Sequence, residues 1–173
     1  MKELLIALAE YNRGANSRLV ALLRNVDIAV LREDQGVFYK SILGTLEHLA
    51  GAEISLLKRF GGFFPYPCLD GHSLISEDIA KTRNAIKDKP EVLYTVLAEA
   101  DDLMVEFARE TAEENLPKRV SYVNVKGETI ERAYWSMIVH ILNHGTHHRG
   151  EISALLDRKG IANDLSGFNN YTA

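Results

Sequence analysis

Apolar side chains recur every three to four positions in four long stretches, the spacing that gathers them on one face of a helix. Over residues 3–26 the stripe is Leu4, Leu8, Tyr11, Ala15, Leu19, Leu22 and Val26. Asn12 borders it and Asn16 lies one turn on; such asparagines ordinarily bond to backbone, with pocket lining the minority alternative. Asp34-Gln35-Gly36 breaks the pattern, and a second helix is predicted from about Tyr39 to Phe60, with Ile42, Leu43, Leu46, Leu49, Leu56, Leu57 and Phe60 apolar. A third spans 90–112, opened by Pro90 in its first turn. Its stripe is Val92, Leu93, Val96, Leu97, Ala100, Leu103, Met104 and Phe107, with Asp101, Asp102 and Glu106 expected on a solvated face. The fourth runs from about Ala133 to Lys159 and ends at Gly160, a natural C-cap residue.

The connecting segments read differently. Residues 61–75 hold two prolines and three glycines, which exclude a long helix; their aromatic residues predict packing over one end of the core. Ser76 before Glu77 and Asp78 reads as the N-cap of a short helix to about Lys87. Residues 119–125, with Val120, Tyr122, Val123 and Val125, read as a strand; Lys126-Gly127 turns, and Glu128-Thr129-Ile130 returns. The tail from Ile161 to Ala173 is polar and expected to pack loosely. Together these predict an all-α four-helix bundle with a small β-hairpin between the third and fourth long helices, in one domain over residues 1–173.

Composition narrows the function. Of 173 residues 46% are hydrophobic, and 24 acids against 20 bases leave a net charge of −4. That excludes the electrostatic footprint of a general nucleic-acid binder. No apolar run reaches the roughly 18 residues of a membrane span, and the N-terminus does not read as a signal peptide. Cys68 is the only cysteine, so there is no internal disulfide framework, and a cytoplasmic setting is expected.

The candidate chemistry lies in residues 139–152, which hold four of the six histidines. His144 and His148 are four apart and share a helix face. At about 100° per residue, Ile141, Ile152 and Leu155 fall on that face too, so it is the apolar one. One buried imidazole is usually a hydrogen-bonded core residue. Two stacked on an apolar face, without an acidic partner nearby in sequence, point instead to a metal site, because neutral imidazole is the commonest transition-metal ligand. His48 on the second helix is the natural third ligand. Among its neighbours at three, four and seven positions, Ser41, Gly44, Gly51, Ala52 and Ser55 are small. They either let helices approach closely or leave room for a ligand. His140 and His147 are rival ligands, while Cys68 and His72 read first as parts of an ordered loop, with reach to a site at that end as the alternative. Three imidazoles suit zinc, nickel, copper or iron(II) and leave a coordination position open. Asn12, Asn143 and Arg149 are the polar candidates beside it, though Arg149 is rotated about 100° from His148 and a structural ion pair is its alternative role.

These segments resemble the DinB/YfiT-like metalloproteins, damage-inducible bacterial four-helix bundles, over nearly the whole chain. Asn143-His144-Gly145-Thr146-His147-His148-Arg149-Gly150 is similar to the family's last-helix motif, and Leu46-Glu47-His48-Leu49 with Ala52-Glu53 to its second-helix ligand segment. Tyr11-Asn12 and Ala15-Asn16-Ser17-Arg18-Leu19 resemble its first-helix signature. Two departures stand out: Arg13-Gly14 where many members carry tryptophan, and Glu151 where many have glutamine. The resemblance implies His48, His144 and His148 as ligands of one divalent cation, nickel or zinc, in a homodimer. It also implies activity as a thiol S-transferase in detoxification or stress response, with a low-molecular-weight thiol as cosubstrate. A metal-dependent hydrolase and a non-enzymatic metal-binding protein are the alternatives.

Overall fold

The computed structural model describes residues 1–124, 126–165 and 167–170, with the side chain of Asn170 left aside. Val125, expected in the first strand, and the last residues of the tail lie outside the described residues.

Among the described residues the long helices are α1 (Lys2–Leu23), α3 (Ile42–Gly61), α6 (Pro90–Glu110) and α7 (Tyr134–Arg158). Shorter ones are α2 (Ile28–Arg32), α4 (Ser73–Ser76) and α5 (Ile79–Ile86), and strands β1 (Arg119–Val123) and β2 (Thr129–Ala133) form an antiparallel hairpin. The all-α bundle and its hairpin are as the patterning predicts. Around the bundle the order is α1, α6, α3, α7, each packed on the next and α7 closing on α1. The helices bearing the three candidate histidines are therefore neighbours.

Local chemistry sets the boundaries. Ser41 caps α3, its hydroxyl accepting from the Gly44 amide at 3.0 Å, so the helix starts three residues later than the periodicity suggests. Ser76 does not open the short helix; it ends α4, and Asp78 caps α5 through the Ala80 amide. Asp27 likewise caps α2, a helix that the sequence pattern does not reveal. Gly160 follows α7 with φ +70°, and the Gly160 and Ile161 amides bond back to the Asp157 and Leu156 carbonyls. That arrangement satisfies end carbonyls and needs a left-handed residue.

Three expectations about faces are corrected. Leu4 and Val92 are exposed. Of the predicted α1 stripe Tyr11, Ala15 and Leu19 are buried, but the buried face also takes in Leu5, Ala9, Asn12, Asn16 and Leu23, so it is rotated from the predicted one. Asp101 is buried, whereas Asp102 and Glu106 remain on the solvated face. The described part of the tail does not pack loosely: Leu165 is buried, the Phe168 ring meets Tyr11 edge-on with centroids 5.2 Å apart, and Asn163 bonds Ser153 and Asp157. Loop 61–75 does cover one end of the core, burying Tyr66 and Leu69, and the Tyr66 and Tyr134 hydroxyls lie 2.6 Å apart.

The cause of the rotated stripe is a polar layer at mid-bundle. Arg149 donates to the side-chain oxygens of Asn12 (2.6 Å) and Asn16 (2.9 Å). The Asn12 amide donates to Asp101 (2.8 Å) and Glu53 (3.3 Å), and the Asn16 amide to Asp101 (2.8 Å). All five side chains are buried, and they come from all four long helices. Apolar clusters lie toward either end of the bundle, one around Phe60, Phe107 and Tyr134, the other around Leu19, Leu46 and Leu156. Gly145 completes the layer, since a Cβ there would lie 2.4 Å from the Asn12 side-chain oxygen. Asn12 and Arg149 thus face this layer rather than the histidines, and Asn143 is exposed.

Candidate metal centre

His48 of α3 and His144 and His148 of α7 come together with their ring nitrogens converging. The Nε2 atoms of His48 and His148 each lie 3.0 Å from Nε2 of His144. His148 is buried and the other two are half-buried. Burial, and next the neighbouring imidazoles, holds His48 and His144 down to about 4, so both rings are neutral at physiological pH.

The hydrogen-bond inventory shows what such a cluster needs. A neutral imidazole has one N–H and one lone pair. Nδ1 of His148 lies 2.6 Å from a Glu151 carboxylate oxygen, an acceptor, so a hydrogen sits on Nδ1 and Nε2 is the nitrogen left to face the other two rings. Nδ1 of His144 is buried without a hydrogen-bond partner. Ring nitrogens that face one another in this way are poorly satisfied by each other and well satisfied by a cation at their point of convergence. The three histidines fit a metal ion on chemistry as well as on distance.

Two features of the surroundings escape the sequence reading. Glu151, three residues beyond His148, is an acidic partner after all, and orienting a ligating histidine through its other ring nitrogen is the usual outer-sphere device. The second is Tyr39. Its ring stacks on His48 with centroids 4.0 Å apart, and its hydroxyl sits 2.9 Å from Nε2 of His48. A tight turn with Lys40 at φ +71° delivers it there, and the Tyr39 carbonyl lies where a Gly44 Cβ would be, at 2.2 Å. The small residues around His48 therefore divide. Gly44 and Gly51 serve close approach, of the Tyr39 backbone and the Arg83 side chain, while Ala52 and Ser55 line open space.

That space is a cleft of about 680 Å³ walled by α3, α7 and the hairpin, with His48 and His144 in its lining. His140 lines it too, but its ring centroid is 6.1 Å from that of His144. His147 is exposed and pairs with Glu151 at 3.1 Å; with His148 and Glu151 it forms a second group that could hold an ion. Cys68 joins neither group. Burial first, then Glu110, pushes its thiol up to about 12, an inert state. His72 caps α4, accepting from the Leu74 amide.

Glu151→Ala, which leaves Nδ1–H of His148 without its acceptor, should weaken metal binding by about 10–100-fold, the usual cost of losing an outer partner. Glu151→Gln, which keeps an acceptor for Nδ1–H, should lose much less than Glu151→Ala. Competition titrations against a chelator would measure both. Equal, total loss in the two variants would make Glu151 a ligand itself.

The fold and the cluster define a helical bundle with a three-histidine group that could hold a metal ion. The chain belongs to the DinB family, which matches residues 1–165. The protein DinB of Bacillus subtilis (strain 168) is 23% identical over 172 residues, covering 99% of this chain and 95% of that protein. No solved structure gives a significant match. Among the described residues no helix is long and apolar enough to cross a membrane.

Proposed function

We propose that the protein is a divalent-metal-dependent thiol S-transferase in which His48, His144 and His148 hold one nickel or zinc ion. The observation that carries the metal is the convergence of three imidazole nitrogens, those of His48 and His148 each 3.0 Å from that of His144, beside an open cleft that His48 and His144 line. A divalent cation held there lowers the pKa of a thiol that reaches it and so favours the nucleophilic thiolate. Around it the chain supplies orientation and a proton donor. Glu151 fixes the His148 tautomer, and the Tyr39 hydroxyl stands beside the point of convergence. Burial raises the Tyr39 pKa, with the Glu151 charge adding to it, so the hydroxyl keeps its proton and can donate to a ligand next to His48. The inert Cys68 fits a reaction whose sulfur arrives from outside.

The test uses cobalt in place of the native ion. Titrating the cobalt protein with small thiols should produce a sulfur-to-metal charge-transfer band. That band should be lost in His48→Ala, and an electrophile should be consumed only when metal and thiol are both present. Cobalt binding without any band, together with thiol-independent cleavage of ester or amide substrates, would replace this reading with a hydrolase.

A further inference from the structure

The cleft beside the histidine centre differs in charge from the rest of the protein. The chain carries 24 acids against 20 bases, yet among the described residues the cleft lining contains no aspartate or glutamate and two arginines, Arg59 and Arg132. Arg13, Arg24, Arg109 and Arg119 each reach a carboxylate elsewhere. Among the described residues neither Arg59 nor Arg132 does so. The Arg59 guanidinium lies over the Tyr122 ring, 4.3 Å from its centroid, a contact that needs no carboxylate partner. Arg132 donates one N–H to the Glu131 backbone carbonyl at 2.8 Å, while the Glu131 carboxylate is engaged by Arg119. A third guanidinium, Arg83, reaches the same wall through Ser55, 3.3 Å away. Leu56 and Met137 add apolar surface to the same lining.

Guanidiniums without a carboxylate partner in a concave site match the fork geometry of a carboxylate or phosphate. A volume of about 680 Å³ is that of a small-molecule site. We propose that the cleft binds a small ligand with an anionic oxyacid group, held by Arg59 and Arg132, its less polar body lying toward the histidines. The inference deepens the transferase reading and rests on it for the direction in which the ligand lies: acid at the arginines, reacting end at the metal.

Calorimetry on the zinc-loaded protein with glutarate and its neutral isostere glutaramide tests the anion site alone. Glutarate should bind at least tenfold tighter, more weakly as salt rises, and Arg132→Gln and Arg59→Gln should each lower its affinity at least fivefold. Arg132 is exposed, so its substitution reports binding even where Arg59→Gln disturbs the Tyr122 contact. Metal-free protein should keep the glutarate preference. Equal or absent binding of the two probes, unchanged affinity in both variants, or a preference that vanishes with the metal overturns the proposal. A second arm compares 3-mercaptopropionate with 2-mercaptoethanol on the cobalt protein. Bands from both thiols at equal affinity leave the thiol reading standing and overturn the anion site. No band from either, with the glutarate preference intact, overturns the thiol reading alone.

Discussion

Arg149→Met should cost about 3–5 kcal/mol of folding stability, the range for leaving a buried charge uncompensated. The guanidinium is almost wholly buried and is the cation of the mid-bundle layer, facing two buried carboxyls through Asn12 and Asn16. Burial raises Glu53 to about 7, against the pull of Asn12 and Arg149. Burial, and then the Glu53 charge, raises Asp101 well above the usual range. With one cation for two acids, one carboxyl retains its proton near neutrality. Methionine fills much of the volume but leaves the asparagine oxygens without a donor and the remaining negative charge without a counterion. Denaturation with chelator present isolates this from metal binding. A loss under about 1 kcal/mol would mean that the layer is not held by Arg149. Adding Glu53→Gln to Arg149→Met should recover part of the loss, since it removes one acid.

The same layer gives stability a pH dependence of definite sign. Glu53 binds its proton more tightly folded than unfolded, where its ordinary value is 4.5. The folded state therefore holds the extra proton between about 4.5 and about 7, and stability falls as pH rises through that window. Glu53→Gln should flatten this part of the profile.

Much of this architecture is legible in the chain. The four apolar periods mark the long helices, and the small residues flanking His48 mark a place where something comes close. The polar layer is legible too, once the period is followed through its polar members. Leu5, Ala9, Asn12, Asn16, Leu19 and Leu23 form one unbroken stripe. Glu53 falls in step with Leu46, Leu49, Leu57 and Phe60, Asp101 with Leu97 and Met104, and Arg149 with Leu142, Ile152 and Leu156. A reading that counts only apolar residues slides α1 onto Leu4 and Leu8 and sends Asp101 to the surface. Partners on different helices, up to 137 positions apart, satisfy one another's hydrogen bonds, and no local window contains them. Tyr39 was hidden for another reason. Its position depends on a left-handed Lys40 and on the Ser41 cap, and helical periodicity runs over both without a break.

His144→Ala should abolish tight metal binding, a larger loss than the 10–100-fold cost of an outer partner. His144 is the middle of the cluster, its Nε2 being 3.0 Å from both other Nε2 atoms. Without it the remaining rings sit on different helices with a gap where the shared ligand stood. A bound ion stabilises the folded state by about 4 kcal/mol when its concentration is a thousand times its Kd, so the variant should also lose its metal-dependent rise in melting temperature. Its metal-free stability should change little, because the ring is only half-buried and its Nδ1 makes no hydrogen bond. His48→Ala and His148→Ala should behave alike, whereas His140→Ala and His147→Ala should keep full stoichiometry. The controls matter because His147, His148 and Glu151 form a competing group on the outer face of α7. A metal held there would survive His48→Ala and fail in His147→Ala. Elemental analysis after dialysis against a chelator separates the two sites. Loss in His147→Ala exceeding that in His144→Ala would move the ion out of the cleft and take the transferase reading with it.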